Sequence, residues 1–283
     1  MFLKTKPGYA VHFLITFLAF SILISACSPA NPTINEPNAA ATSVSTIPVE
    51  LAATLPQSEN SETLPNALVQ LSMDTGSLAT SLQSETVPAK FGDDVPFWEL
   101  NPEHTRVTLQ GYPISTHQVE PVIYIYPVND LERLNAGAQP VVSSLQKLLA
   151  SPQEIPNMPF LPMVNTTQVM HTHLQFLDFT SGQGLRYLTI FSQGIMPINN
   201  QGFIYTYQGL TSDGKYYVAA VLPVTHPSLP ADGSITGNEP PEFTSDYPAY
   251  VANSAKSLNT QAASTFTPDL AQLDAMMSSI EIR

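Results

Sequence analysis

Two histidines separated by one residue, His171 and His173, have the best spacing in the chain for binding a metal ion. In a β-strand, residues i and i+2 point to the same side, so both imidazoles could reach one ion. Structural and catalytic zinc sites use three or four protein ligands, and no HExxH motif or carboxylate cluster lies near the pair in the sequence. Two interpretations stay open: a metal site at His171 and His173, or histidines on the solvent-facing side of a strand.

Nucleophilic catalysis has weaker support in the sequence. The chain has no G-x-S-x-G motif, and its Gly-Gln-Gly run at 182–184 lacks the third glycine and the helix of a phosphate-binding loop. His226 follows a predicted strand on a loop, where catalytic residues often lie, although its neighbours favour a structural turn. A hydrolase or metal-dependent enzyme using His171, His173 or His226 is therefore one hypothesis, and no cofactor is predicted.

Tyrosines are concentrated in the predicted strands and offer a different kind of site. On one face of a sheet, tyrosine rings can form a platform for sugars or peptides. Tyr205, Tyr207 and Tyr217 are the candidate ligand-binding residues on this hypothesis. The alternative is cross-strand packing within the sheet, with the hydroxyl groups reaching its rim.

The only cysteine of the chain, Cys27, closes an N-terminal apolar run. Lys4 and Lys6 precede this run, which is uncharged over residues 9–26 and ends in two small residues. Basic residues, an apolar run and small residues in this order are typical of a secretory signal with its cleavage site. The alternatives are a buried cysteine, or an uncleaved membrane anchor close to the lower length limit for a spanning helix.

The sequence LISAC at 23–27 resembles the lipobox of bacterial lipoproteins. In that family the cysteine is alkylated by diacylglycerol, the signal is cut before it, and the new N-terminus is often acylated. The resemblance implies that residues 1–26 are a signal peptide and that lipid on Cys27 anchors the protein to the cell membrane on its extracytoplasmic side. It also implies that the only thiol is unavailable for catalysis.

The chain is acidic, with 10 Lys and Arg residues against 23 Asp and Glu residues and a formal net charge of −13 at pH 7. Removal of residues 1–26 would take away two lysines and no acid, which makes the rest of the chain more negative still. This charge argues against nucleic acid or an anionic membrane surface as a binding partner, because both would be repelled. A single cysteine allows no disulfide within one chain, so stability must come from a conventional core.

The strands and helices that must position the candidate histidines and tyrosines follow a long polar segment of the chain. Residues 28–88 contain no Lys, Arg or aromatic residue and are rich in Ala, Ser, Thr, Asn and Pro. Burial of so few apolar groups cannot offset the entropy of folding, so residues 27–89 are predicted to be an acidic tether. Leucines at helical spacing within residues 64–82 leave open a marginal helix or a frayed segment there.

Residues 90–283 are predicted to form one α+β domain. The predicted strands are 106–114, 122–126, 167–179, 184–193, 203–210 and 216–224. The predicted helices are one turn at 130–135 and longer helices at 140–150, 247–259 and 268–279, the last with Thr267 as N-cap. Asp213 and Gly214 predict a tight hairpin between the last two strands. Several strands followed by helices imply an antiparallel sheet with helices packed on one face.

Two resemblances bear on this domain. The segments 186–189, 197–200, 205–211, 213–218 and 223–227 look like uncharacterised bacterial lipoproteins of similar length, which have no assigned activity. The strands followed by a C-terminal helix at 269–280 are similar to the Mog1/PsbP-like layout, whose members are mostly binding or assembly factors, and this similarity bears on fold alone.

The leading functional hypothesis is a non-enzymatic, lipid-anchored binding or envelope-assembly module. Its ligand, a protein or a small molecule, would lie on the sheet face or at the loops 151–164 and 226–242. An enzyme that uses the histidines is the second hypothesis, and a purely structural envelope lipoprotein is the third.

Replacement of Cys27 by serine tests the lipid anchor. Serine lacks the thiol that is alkylated, so we expect the Cys27→Ser protein to retain its signal and to lose the diacylglycerol mass and its normal membrane attachment. Mass spectrometry of the N-terminal peptide and cell fractionation measure these properties. A Ser28→Ala control keeps the cysteine and should mature like the unmodified sequence. Normal maturation and membrane retention of the Cys27→Ser protein would contradict the anchor.

Overall fold

In the computed structural model, which describes residues 69–283, seven strands form one antiparallel sheet and two short strands form another. The strands are β1 (Leu71–Ser72), β2 (Ser81–Val87), β3 (His104–Gln110), β4 (Val122–Pro127), β5 (Thr167–Phe179), β6 (Gly182–Ser192), β7 (Ile204–Thr211), β8 (Tyr216–Pro223) and β9 (Glu281–Ile282). The α-helices are α1 (Val128–Leu134), α2 (Ala138–Ala150), α3 (Pro241–Ser245), α4 (Tyr247–Asn259) and α5 (Leu270–Ser278). Single 3₁₀ turns lie at Phe97–Glu99 and Ala263–Thr265.

The larger sheet consists of two antiparallel meanders joined side by side. Its strand order is β2-β3-β4-β8-β7-β6-β5, so β4 of the first meander pairs with β8 of the second. The small sheet pairs β1 with β9 and brings Leu71 opposite Ile282, near the C-terminal end of the chain. The edge strands of the larger sheet are therefore β2 and β5.

Helices cover both faces of this sheet. Along β8, Val218, Ala220 and Leu222 pack with α4 and α5 on what we call the first face, whereas Tyr217 and Ala219 pack with α1 and α2 on the second face. This alternation follows from the pleat of a strand, and burial on both sides explains why β7 and β8 are buried almost without interruption.

The predicted α+β class, an antiparallel sheet with helices packed against it, is confirmed. The helices do not lie on one face as predicted, however, because the central strands present apolar side chains on both sides. The helices between β4 and β5 cover the second face, and those after β8 cover the first.

Several element boundaries follow from local chemistry. The bounds of β5 and α4 match the predicted ones, and the side chain of Asp246 caps α4 by accepting a hydrogen bond from the Ala249 N–H. The hairpin between β7 and β8 is also as predicted, with Gly214 at φ +69° in its turn. Helix α5 begins later than predicted, because Asp269 caps it while Thr267 pairs with Thr225 in an isolated bridge.

The predicted boundary between tether and domain at residue 90 is wrong. Strand β2 pairs along its whole length with β3, and Val69 and Leu78 are buried, so the domain includes at least residues 69–89. Leu71 and Leu82 lie in strands, which excludes the marginal helix in that part of 64–82. Residues of β2 alternate between exposed and half-buried. An edge strand of this kind needs few apolar side chains, because backbone hydrogen bonds to its neighbour β3 hold it in the sheet.

The predicted signal peptide, Cys27 and residues 28–68 lie outside the described residues. Within residues 69–283, no helix has the length and apolar character required to cross a membrane.

A buried ion pair joins strand β6 to helix α5. The guanidinium of Arg186 donates from Nε to Asp274 Oδ1 at 3.0 Å and from Nη2 to Oδ2 at 3.2 Å. The side chains are only 7% and 17% exposed, and the Tyr205 hydroxyl donates to the same carboxylate at 2.9 Å. This two-bond geometry fixes α5 against the first face of the sheet.

Loss of the Asp274 carboxylate should strongly destabilise the domain. In Asp274→Ala, the buried charge of Arg186 has no counter-ion, and we expect the free energy of unfolding to fall by about 3–5 kcal/mol. Urea denaturation followed by circular dichroism measures this loss. The control is Asp130→Ala, which removes an exposed pair with Arg133 and should cost at most about 1 kcal/mol. Equal losses in the two variants would contradict the structural role of Asp274.

Candidate functional site

Helices α1 and α2 cover only part of the second face of the sheet. The helix-packed residues Tyr126 and Tyr217 pair near one end of β4 and β8, whereas Val122 and Val221 pair toward the other end and line an open groove. We call this cavity of about 420 Å³ the sheet-face groove. Its lining residues are Arg106, Gln118, Val119, Glu120, Val122, Tyr124, Phe160, Pro162, Val164, Thr166, Phe191, Gly202, Ile204 and Val221.

One wall of the groove is the proline-rich segment between α2 and β5, which crosses the second face. Two fully buried side chains fix it there: Tyr187 donates to the Pro159 carbonyl at 2.8 Å, and Gln208 bonds both backbone groups of Leu161. Phe160 lies between these two anchors, so its position at the groove is set by the sheet beneath it.

Aromatic rings supply much of the apolar lining. The Phe160 and Phe191 ring centroids are 4.4 Å apart, with an angle of 43° between the ring planes. Tyr124 stacks on Tyr126, with centroids 5.8 Å apart and planes within 15°. Each of these rings is therefore held by an aromatic neighbour, which limits its rotation.

The polar rim of the groove is built around Arg106. Its guanidinium donates to Glu85 at 2.8 Å and also to Glu120, and the exposed fractions of the two carboxylate side chains are 51% and 71%. Burial opposes the charged form of Arg106, but hydrogen bonding with Glu85, Tyr124 and Glu120 outweighs it and raises the pKa. Two carboxylates thus share one guanidinium, so this cluster of three side chains, of which Arg106 and Glu120 line the groove and Glu85 lies beside it, has a net negative charge.

The loop that carries Val119 and Glu120 is held by His117. The Nδ1 atom of His117 accepts a hydrogen bond from the Val119 N–H at 3.1 Å, and Nε2 lies 3.0 Å from the Phe203 carbonyl oxygen. An acceptor at Nδ1 and a donor at Nε2 define the neutral imidazole with its proton on Nε2. Burial lowers the pKa of His117 and favours the same neutral form.

The structure separates His171 and His173, contrary to the prediction that they share one face. A register shift between Thr172 and Gln175 marks a bulge in β5, and His173 has φ +53°. The His171 Nε2 atom lies 2.8 Å from a Glu154 carboxylate oxygen, and its ring lies on the second-face side near Tyr187.

His173 lies instead on the first-face side of the same edge strand. Its Nε2 atom is 2.7 Å from the Leu258 carbonyl oxygen, and its ring packs edge-on against Phe266. Over residues 69–283, no group of three His, Cys, Asp or Glu side chains is arranged to hold a metal ion. The predicted two-histidine approach to one ion is therefore wrong.

His226 is buried and contacts only neutral hydroxyl groups among its side-chain hydrogen-bond partners. Its Nδ1 atom lies 2.7 Å from Ser228 Oγ and accepts from the Ser228 N–H, and its Nε2 atom lies 3.1 Å from Thr265 Oγ1. His226 and His173 both pack on Phe266, while His171 lies on the other face. The three predicted histidines are not brought to one site.

The three candidate tyrosines are buried in the core and form no exposed platform. Tyr205 and Tyr207 pack on the first face and Tyr217 on the second, and each is 0% exposed. Their hydroxyls donate to Asp274, the Leu177 carbonyl and Gln208 respectively, and burial raises the pKa of all three. The ligand-binding prediction for these residues is wrong, and tyrosine packing within the sheet is what the structure shows.

Sequence reasoning named the sheet face and the loop 151–164, which contains Phe160, as candidate ligand regions, but it did not single out the groove residues Arg106, Glu120, Phe160 and Phe191. They come from four separate stretches of chain and share no local motif. The one available signal was Phe160 within a proline-rich crossing loop, since an aromatic residue there needs an apolar partner elsewhere in the fold.

The chain is thus an α+β protein with a ligand-sized groove on one face of its sheet. No protein-family model matches the chain, and no curated protein or solved structure matches it either. The geometry of the groove is therefore the basis for any functional conclusion.

Acidification should destabilise the domain before the carboxylates titrate. Burial lowers the pKa of His104, His117, His173 and His226 below the ordinary value of 6.5. The unfolded chain therefore binds protons more readily, so stability present above pH 6.5 is lost as pH falls through the folded-state pKa values.

We expect the urea midpoint to fall between about pH 7 and pH 5 and to recover on neutralisation. Urea titrations at several pH values across this window measure the effect. The matched variant is His117→Gln, which removes one of the four groups and should show a shallower pH dependence. A midpoint that rises on acidification would contradict the assignment of neutral buried histidines.

Proposed function

We propose that the protein is a lipid-anchored extracytoplasmic binding module whose ligand site is the sheet-face groove. The observation that supports the groove is an open, mostly apolar cavity of about 420 Å³ beside the helix-covered part of the second face. Cavities of roughly 300–1,000 Å³ with apolar walls and a few polar groups are typical of small-molecule sites. The groove has both properties, with aromatic walls and a polar rim at Arg106.

The resemblance of residues 23–27 to a lipobox supports the location in this proposal. Lipid on Cys27 would hold the domain at the membrane surface, where it would meet extracytoplasmic ligands. The net charge of −13 favours a domain that stays in water and away from anionic headgroups. Location and ligand binding thus rest on separate observations.

The enzymatic alternative lacks a supporting geometry in residues 69–283. His226 lies beside the potential nucleophile Ser228, but the serine backbone N–H donates to the same Nδ1 atom that the hydroxyl contacts. The other imidazole nitrogen contacts the Thr265 hydroxyl and not a carboxylate. This is the hydrogen bonding of a fixed loop, and it lacks the acid that orients a catalytic base.

Photolabelling with a small neutral probe tests the groove as a ligand site. The full-length lipidated protein in detergent is irradiated with a diazirine derivative of benzyl alcohol, and labelled peptides are mapped by mass spectrometry. We expect labels within 118–124, 160–166 and 191, because the aromatic walls exclude water and retain the ring. Mapping by peptide distinguishes groove binding from partition of the probe into micelles.

A pair of aspartate substitutions provides the control. Val119 lines the groove and is 38% exposed, whereas Ile235 is 62% exposed and does not line the groove. Val119→Asp places a charge beside an apolar cavity and should reduce groove labelling about tenfold, corresponding to about 1.4 kcal/mol. Ile235→Asp should leave it unchanged. Absence of groove labels, or equal labelling in both variants, would contradict the site.

A further inference from the structure

We propose that the sheet-face groove recognises a substituted ammonium group, that is, an organic cation whose charge is surrounded by carbon. This inference rests on the proposed binding function and names the ligand class for the same site. Three features of the groove support it: its aromatic walls, the charge of its rim, and the small number of side chains that could coordinate a metal ion.

The aromatic walls attract positive charge. Tyr124, Phe160 and Phe191 all line the groove, and the face of an aromatic ring carries the negative part of its quadrupole. The Phe160 and Phe191 ring centroids are 4.4 Å apart, so the two rings pack on each other and contribute one joint aromatic surface to the groove. Contact with aromatic ring faces is the interaction by which proteins bind quaternary ammonium groups.

The rim disfavours an anionic ligand. Arg106 is the only Lys or Arg residue that lines the groove as the structure describes it, and its side chain is 24% exposed. Its donors already bond Glu85 and Glu120, so an anion would have to compete with two carboxylates in an acidic protein. A cation at the mouth is repelled by Arg106 but attracted to both carboxylates that bond it, of which Glu120 is 71% exposed and lines the groove itself.

The lining has few side-chain ligands for a small inorganic cation, since Glu120 is its only carboxylate among the described residues. Metal ions need several oxygen or nitrogen ligands at short distance, and residues 69–283 hold no cluster of three such side chains. A substituted ammonium group needs no such shell, because its charge is spread over alkyl carbons that can contact Phe160 and Phe191 directly. A substituted ammonium group, whose charge is surrounded by alkyl carbons, therefore fits a groove with apolar walls and a negatively charged rim.

Competition between two molecules of the same shape tests the proposal. Choline and 3,3-dimethylbutan-1-ol differ in a single position, a charged nitrogen in the first and a neutral carbon in the second. Each is added to the full-length protein during photolabelling with the benzyl alcohol diazirine. We expect choline to displace the groove label at about tenfold lower concentration than the alcohol, because only choline gains the cation–π and carboxylate interactions.

Two glutamate variants identify the source of the preference. Glu120→Gln should bring the ratio of choline to alcohol potency towards one, whereas Glu103→Gln removes an exposed acid that does not line the groove and should leave the ratio unchanged. High salt should also reduce the ratio, since part of the attraction is between exposed charges.

The outcomes separate this proposal from the binding function on which it rests. Groove labelling that both competitors displace equally would overturn the ammonium proposal and leave the groove as a ligand site. The ammonium proposal is likewise overturned, with the groove kept as a ligand site, if 3,3-dimethylbutanoate, the carboxylate analogue, displaces the label best. If no groove label forms, the binding site and the ammonium proposal are both overturned.

Discussion

The interaction on which the first face depends is the buried pair between Arg186 and Asp274. Removing a guanidinium and a carboxylate from water is costly, so such a pair persists only where further hydrogen bonds satisfy most of the remaining donors. Arg186 meets this requirement: besides Asp274, it donates to the His173 carbonyl and to Gln175 Oε1. The same side chain therefore fixes helix α5 on the sheet and holds the bulge in the edge strand β5. A bulged edge resists pairing with another chain.

The register of β6 links this buried pair to the groove on the opposite face. Arg186 points to the first face, and the next residue, Tyr187, points to the second, where its hydroxyl holds the Pro159 carbonyl. A slip of one residue in β6 would exchange these two side chains between the faces. It would leave Arg186 among the apolar residues beside α2 and remove an anchor of the Phe160 wall. The groove thus depends on the same register as the core.

The parts of the fold that were predictable from sequence are those with local causes. Asp213 and Gly214 dictate their hairpin through turn chemistry, and α4 starts at the Asp246 cap. The bulge at His173 has a tertiary cause, since the Asn259 side chain accepts from the His173 N–H and α4 receives its ring. Strand β2 has the polar composition of a tether. It forms a strand because its backbone pairs with β3, which the composition of β2 alone does not indicate. The sequence indicated the sheet face and the loop 151–164 as candidate regions, but the set of residues that lines the groove was not predictable, as its walls meet only after the sheet has formed.

The groove is pre-formed, and the side chain of Gln208 shows why. Its oxygen accepts from the Leu161 N–H and the Tyr217 hydroxyl, while its nitrogen donates to the Leu161 carbonyl and the Thr206 hydroxyl. All four hydrogen-bonding positions of the amide are occupied in a fully buried setting, so the crossing segment cannot shift without leaving polar groups unpaired. Collapse of the Phe160 wall onto the open sheet would break these bonds. A ligand therefore meets a wall that is already ordered, and its binding free energy is not reduced by the entropy of ordering a loop.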